Sequence, residues 1–215
     1  MTVADQQTTV ALSVAMREGS HDQHRLAESA PFLTELLAGR ADRRRYADYL
    51  LRLRAVYDAL ESALHEHADH PVVAAVHDPA LGRLAAIDAD LDHWLPDGPR
   101  STDSAAAAAY CSRIHEAAAT PALLVAHHYT RYLGDLSGGQ VIGRLLEHAY
   151  GLGGRGRALY AFPEVAAPPR YRRDYRARLD GLDLSPADRD RVVAEVPVAF
   201  GLNRALLGEL ETSGT

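Results

Sequence analysis

The chain has 215 residues, 47% of them hydrophobic, and its 23 basic against 29 acidic side chains leave a net charge of −6. That length supports one core burying roughly 70% of the unfolded chain's surface, and the charge balance excludes the broad positive field of a nucleic-acid binder. A single cysteine, Cys111, excludes an intramolecular disulfide and a multi-thiolate metal site, which points to the cytoplasm.

Every basic residue is an arginine, so recognition of any carboxylate must use guanidinium, always charged and able to bind with two prongs. No apolar run reaches 18 residues, the start MTVADQQTTV lacks the pattern of a signal peptide, and the end ELETSGT is polar. The expectation is a chain with no membrane segment.

Apolar positions recur at three and four residues and none of the chain alternates with period two, which predicts an all-α protein. The first helix is expected over Thr9 to Ser29. A second starts after Gly39 with Asp42 as N-cap and runs through Tyr46, Leu50, Leu53, Tyr57, Leu60 and Leu64, ending before Pro71. A shorter helix lies between Pro79 and Pro99, and an alanine-rich one spans Ser101 to Ala119. After the central stretch come the connection GLGGRG, a proline-containing loop over Ala161 to Pro169, and a basic helix over Arg170 to Leu179. The last helix opens at Ser185-Pro186-Ala187-Asp188 and continues to about Leu210, with Pro197 expected to kink it. No repeat or linker divides the chain, so residues 1–215 are read as one helical domain with an ordered core over about 10–210.

The central stretch, Thr120 to Tyr150, reads TPALLVAHHYTRYLGDLSGGQVIGRLLEHAY. Thr120 as N-cap and Pro121 at the first position open a helix to about Leu133. Gly134, Gly138 and Gly139 follow within six residues, although each glycine inside a helix costs roughly 1 kcal/mol relative to alanine. What such glycines offer is a bare backbone that can bend and lie flat against something large. Asp135 sits among them as the one carboxylate.

The string YLGDLSGGQ, extended through HHYTRYLGDLSGGQVIGR, resembles the distal-helix signature of heme oxygenases, and the resemblance spans roughly residues 10 to 210. It implies a soluble, bacterial-type, biliverdin-producing enzyme: a multi-helix bundle in which haem lies between a proximal helix and a kinked distal one. Haem b is then both substrate and cofactor, consumed with dioxygen and electrons to give biliverdin, carbon monoxide and ferrous iron. On this resemblance Asp135, Gly134 and Gly138 belong to the catalytic face, with Gly138 and Gly139 against the haem. Asp135 holds an ordered water network that delivers protons to the oxygen being reduced, and Tyr57, Arg131 and Asn203 support that network. Pro197 departs from the expected pattern near Asn203.

Eleven histidines compete for the role of iron ligand. His65, His67, His70, His77, His93, His115 and His148 stand in polar or boundary contexts and read as surface histidines. His24 is followed one turn later by Glu28, a spacing shared by exposed helix pairs and by oriented ligands alike, and His21 is its neighbour and competitor. The segment HRLAESAPFL resembles the proximal region of heme oxygenases, which implies His24 as the iron ligand, Glu28 as its partner and Phe32 as a packed aromatic.

Haem propionates need cations. Arg17, two helical turns before His24, together with Arg172 and Arg176, spaced i,i+4, match positions where the family commonly has two lysines and an arginine, and Tyr129 matches its tyrosine contact. No dinucleotide or flavin fingerprint is present, so electrons must come from a separate redox partner of the ferredoxin or flavoprotein reductase type, docking near Arg172, Arg173 and Arg176. Two other classes remain for comparison: a non-catalytic haem carrier on the same fold, and a ferritin-like di-iron bundle, for which only Glu18 and His21 have the required spacing.

Overall fold

The computed structural model describes residues 10–28 and 30–212; the side chains of His24, Ala27, Glu28 and Thr212 lie outside the described residues. Helices α1 (Leu12–Gly19), α2 (His21–Glu28), α3 (Pro31–Leu37), α4 (Arg43–Glu66), α5 (Pro71–Ala74), α6 (Leu84–Trp94), α7 (Ala105–Ala118), α8 (Leu124–His128), α9 (Gln140–Tyr150), α10 (Pro168–Asp180) and α11 (Pro186–Thr212) follow in order. Among the described residues there is no strand.

Capping chemistry fixes several boundaries as the sequence predicts. The Asp42 carboxylate accepts from the Arg44 amide at 3.0 Å and starts α4. The alanine-rich helix, expected from Ser101, instead starts at Ala105, where the Ser104 hydroxyl accepts from the Ala107 amide at 3.0 Å. The Ser185 hydroxyl accepts from Asp188 at 3.1 Å at the head of α11. Helix α4 then buries Tyr46, Leu50, Leu53, Tyr57, Leu60 and Leu64, one stripe at helical spacing, against α6 and α7.

One expectation is corrected at the N-terminal end. The segment expected as a single helix is two, because the Ser20 hydroxyl donates to the Met16 carbonyl at 2.8 Å while the Ser20 amide turns to Arg17. The side chain has taken the acceptor that a continuing helix would use. Arg17 therefore ends α1 instead of sharing one unbroken helix with His24. Helix α3, absent from the sequence reading, buries Phe32 and Leu36.

Two clusters of buried residues form the core. One is built mainly from α3, α4, α6 and α7, the other from α1, α10 and α11. The stretch over 124–146 supplies Leu124, Tyr132, Leu136 and Leu146 to the first and Val125, Ala126 and Leu133 to the second. It is the wall both clusters share, so its geometry is held from two sides.

That wall is irregular in an instructive way. Thr120 makes no side-chain cap, Pro121–Leu123 is a tight 3₁₀ turn, and after α8 the backbone widens into two π turns, Tyr129–Leu133 and Asp135–Gly139, before α9. The widening begins at Tyr129, ahead of the first glycine, and Gly134 keeps ordinary helical angles of φ −59° and ψ −52°. Wide turns, not glycine's freedom at positive φ, therefore reshape this helix.

Candidate active site

The glycines divide into two pairs by what surrounds them. A side chain built at Gly134 or Gly138 would meet no atom within 4 Å, so both present bare backbone to open space. At Gly139 and Gly143 it would meet Tyr160 at 3.0 and 3.1 Å. Gly139, grouped by the sequence with the bare patch, instead has its side-chain direction facing inward and makes room for a tyrosine.

Asp135 stands between the open pair, with its side chain 14% exposed. Tyr57, arriving from α4, donates its hydroxyl to Asp135 Oδ2. Arg131, one turn earlier, has its nearest nitrogen 3.8 Å from Oδ1, donates to the Tyr57 hydroxyl at 3.3 Å, and donates to Asn203 Oδ1 on α11. The structure thus brings Tyr57, Arg131, Asp135 and Asn203 into one network. At 3.8 Å the Arg131 contact is an ion pair longer than a hydrogen bond, which leaves Oδ1 with lone-pair capacity for water. Burial pushes the Asp135 carboxyl above its usual range, opposed by the Arg131 charge, the Tyr57 hydrogen bond and Arg83. Burial likewise raises the Tyr57 hydroxyl well above the ordinary phenol, so it remains a donor.

The cations assigned to the propionates stand on α1 and α10. Burial raises the Tyr129 hydroxyl, and the charges of Arg176 and Arg17 oppose that shift. Arg172 donates to the Leu136 carbonyl at 2.7 Å, linking α10 to the second wide turn. Arg17 and Arg176 are exposed and Arg172 half-buried, so a carboxylate can reach them. Helix α2 carries His24 and packs against α1 and α11; the side chains of His24 and Glu28 lie outside the described residues. His21 is 68% exposed, with Nδ1 3.6 Å from Asp22.

Two buried histidines escaped the sequence reading. His127 is fully buried, with Nε2 3.0 Å from Glu195 Oε1, and Glu195 also accepts from Arg113 at 2.8 and 2.5 Å. Burial of Glu195 would raise its carboxyl, but the hydrogen bonds from His127 and Arg113 prevail and hold it at about 2. His128 is 1% exposed, its Nδ1 2.8 Å from the Tyr175 hydroxyl. Their signal in the sequence was the apolar run LLVA directly before them, which continues the buried face.

Burial lowers the His128 pKa to about 3, with His77 and Arg178 adding to the effect. Below pH 6.5 the unfolded chain therefore takes up a proton that the folded chain refuses. Stability should fall as pH drops from about 6.5 toward 3, at up to about 1.4 kcal/mol per pH unit from this residue. Urea melts at pH 7, 6 and 5 check this: His128→Phe should flatten the slope by about one proton, and an unchanged slope would show His128 protonated in the folded state.

Together these features define a class: an all-α protein with an open, bare-backbone face bordered by cations, suited to a flat anionic ligand. The Heme oxygenase family model matches residues 10–209, and the chain belongs to that family. Heme oxygenase 1 of Pongo abelii is 39% identical over 208 residues, covering 93% of this chain and 72% of that protein. The structure of heme oxygenase-1 from the cyanobacterium Synechocystis sp. in complex with heme matches with a TM-score of 0.90 at 35% identity, covering 95% of this chain and 94% of that one. Heme oxygenase from Leptospira interrogans matches at 0.89 and 31% identity, over 93% of this chain and 100% of that one. Among the described residues no helix is long and apolar enough to cross a membrane, and no group of three or more His, Cys, Asp or Glu is placed to hold a metal ion, so the di-iron reading has no ligand set there.

Proposed function

We propose that this chain binds haem b against the Gly134 and Gly138 backbone and cleaves it with dioxygen and external electrons to biliverdin, carbon monoxide and ferrous iron. The observation that carries the reading is the bare face with one carboxylate in it: space that a Cβ would occupy, beside Asp135 held by Tyr57. Bound haem supplies the iron at which dioxygen is reduced and the ring carbon that is oxidised. The chain supplies position and protons.

His24 is the proposed iron ligand, oriented by Glu28. Arg17, Arg172, Arg176 and Tyr129 hold the propionates, using charge-assisted hydrogen bonds from guanidinium. With Oδ2 engaged by Tyr57, Asp135 keeps Oδ1 for a water that passes a proton toward the open face, while Arg131 and Asn203 fix the carboxylate's setting. The face itself is glycine backbone, so no side chain there competes for the oxygen. An acidic redox protein of the ferredoxin or flavoprotein reductase type fits the exposed arginines of α10, Arg170, Arg173 and Arg176. The single thiol supports a cytoplasmic setting.

A non-catalytic carrier would have no use for the Asp135 network. Haemin added to the purified protein, followed by ascorbate in air, separates the readings. A Soret band that appears and decays to bile pigment is expected; a band that persists would identify a carrier, and no band would refute haem binding.

A further inference from the structure

Helix α10 carries two of the cations assigned to the propionates, and how that helix is attached decides where they stand. Its buried side holds two tyrosines one turn apart. Tyr171 donates to Asp78 Oδ2 at 2.6 Å, and Tyr175, fully buried, meets His128 at 2.8 Å with the two rings stacked at 12° and 5.5 Å between centroids. His128 also packs on Tyr132 at 4.4 Å and directly precedes Tyr129, where the backbone widens. One hydrogen bond therefore joins the start of the reshaped wall to the helix that carries the cations.

At about 100° per residue, Arg172 and Arg176 lie roughly 60° and 100° round α10 from Tyr175, on the same side. Any rotation of α10 about its axis carries both guanidiniums in the same sense. A haem ring is close to fourfold in outline, so its propionates are the handles by which one in-plane orientation is chosen over another. We propose that the buried His128–Tyr175 pair is a positioning joint that fixes the in-plane orientation of haem, and with it the ring carbon attacked, by setting the rotation of α10. This rests on the function proposed above.

An apolar pair of similar size would fill the same volume without burying an imidazole and a phenol, each of which demands a partner. What the polar pair adds is direction. Dispersion between smooth rings tolerates sliding and rotation, whereas a bond at 2.8 Å between two particular atoms does not. The Arg172 bond to Leu136 and the Tyr171 bond to Asp78 hold α10 nearer its start, and the His128–Tyr175 bond adds a fixed point in the core beside Arg176.

The test uses the full chain with haemin and three variants, His128→Phe, Tyr175→Phe and the double. Proton NMR of the ferric haem complex reads the orientation without turnover, and the biliverdin isomers made with ascorbate read its consequence. The preference for one orientation and one isomer should fall about tenfold in each single variant and no further in the double, since all three lose the same bond. The wild-type orientation and isomer retained in all variants would overturn the inference and leave the function standing. No haem signal from the wild type would overturn both. Should His128→Phe not fold, Tyr175→Phe, which removes one oxygen atom, decides alone.

Discussion

Replacing Asp135 by alanine should slow haem cleavage by roughly 10²–10⁴-fold, the range a positioned proton donor supplies, while haem affinity changes little. The fold should survive, because Arg131 keeps its bonds to Tyr57 and Asn203 and because the side chain is at the edge of open space. Asp135→Asn should be nearly as slow: an amide can still accept from Tyr57, but it offers no proton near neutral pH. Tyr57→Phe should cost less, about tenfold, since one hydrogen bond to the carboxylate is lost and the carboxylate remains. Soret titration with haemin measures binding, and the rate of bile-pigment appearance with ascorbate measures cleavage. Equal rates for wild type and Asp135→Ala would make Asp135 a structural residue and leave the wide turns without a catalytic purpose.

Substitution of His24, the proposed iron ligand, should have a comparably large effect by a different route. His24→Ala should still bind haem, because the glycine face and the arginines of α1 and α10 remain. Cleavage should drop to background, since the iron loses its strong nitrogen donor, and added imidazole should restore part of it by taking the vacated position. His21→Ala is the matched control: its side chain is 68% exposed, and it should turn over as the wild type does. Normal turnover in His24→Ala with loss in His21→Ala would reverse the assignment.

Much of this architecture is legible in one sequence, and the parts that are not have physical reasons. Helix α4 could be placed because a cap and a proline mark its ends locally, whereas α7 was expected four residues early, since Ser101 and Ser104 both precede the alanine run and only the latter caps it. The break at Ser20 was not legible, since it depends on a hydroxyl choosing the Met16 carbonyl over solvent. Nor were the wide turns: glycines announce that the backbone of 134–139 is special, but no residue pattern encodes an i→i+5 bond. His127 and His128 were missed because their partners, Glu195 and Tyr175, lie 68 and 47 positions away. The same distance problem applies to Asp135, whose partner Tyr57 is 78 residues off; periodicity could not join them, and only the family resemblance did.

Oxidative cleavage of haem is tested most directly by supplying isotopically labelled dioxygen to the haemin complex with ascorbate and analysing the products by mass spectrometry. The label should appear in carbon monoxide and in both terminal oxygens of the bilin, with carbon monoxide and bilin formed in equal amounts. Recovery of intact haem, or of a bilin whose oxygens come from water, would contradict it.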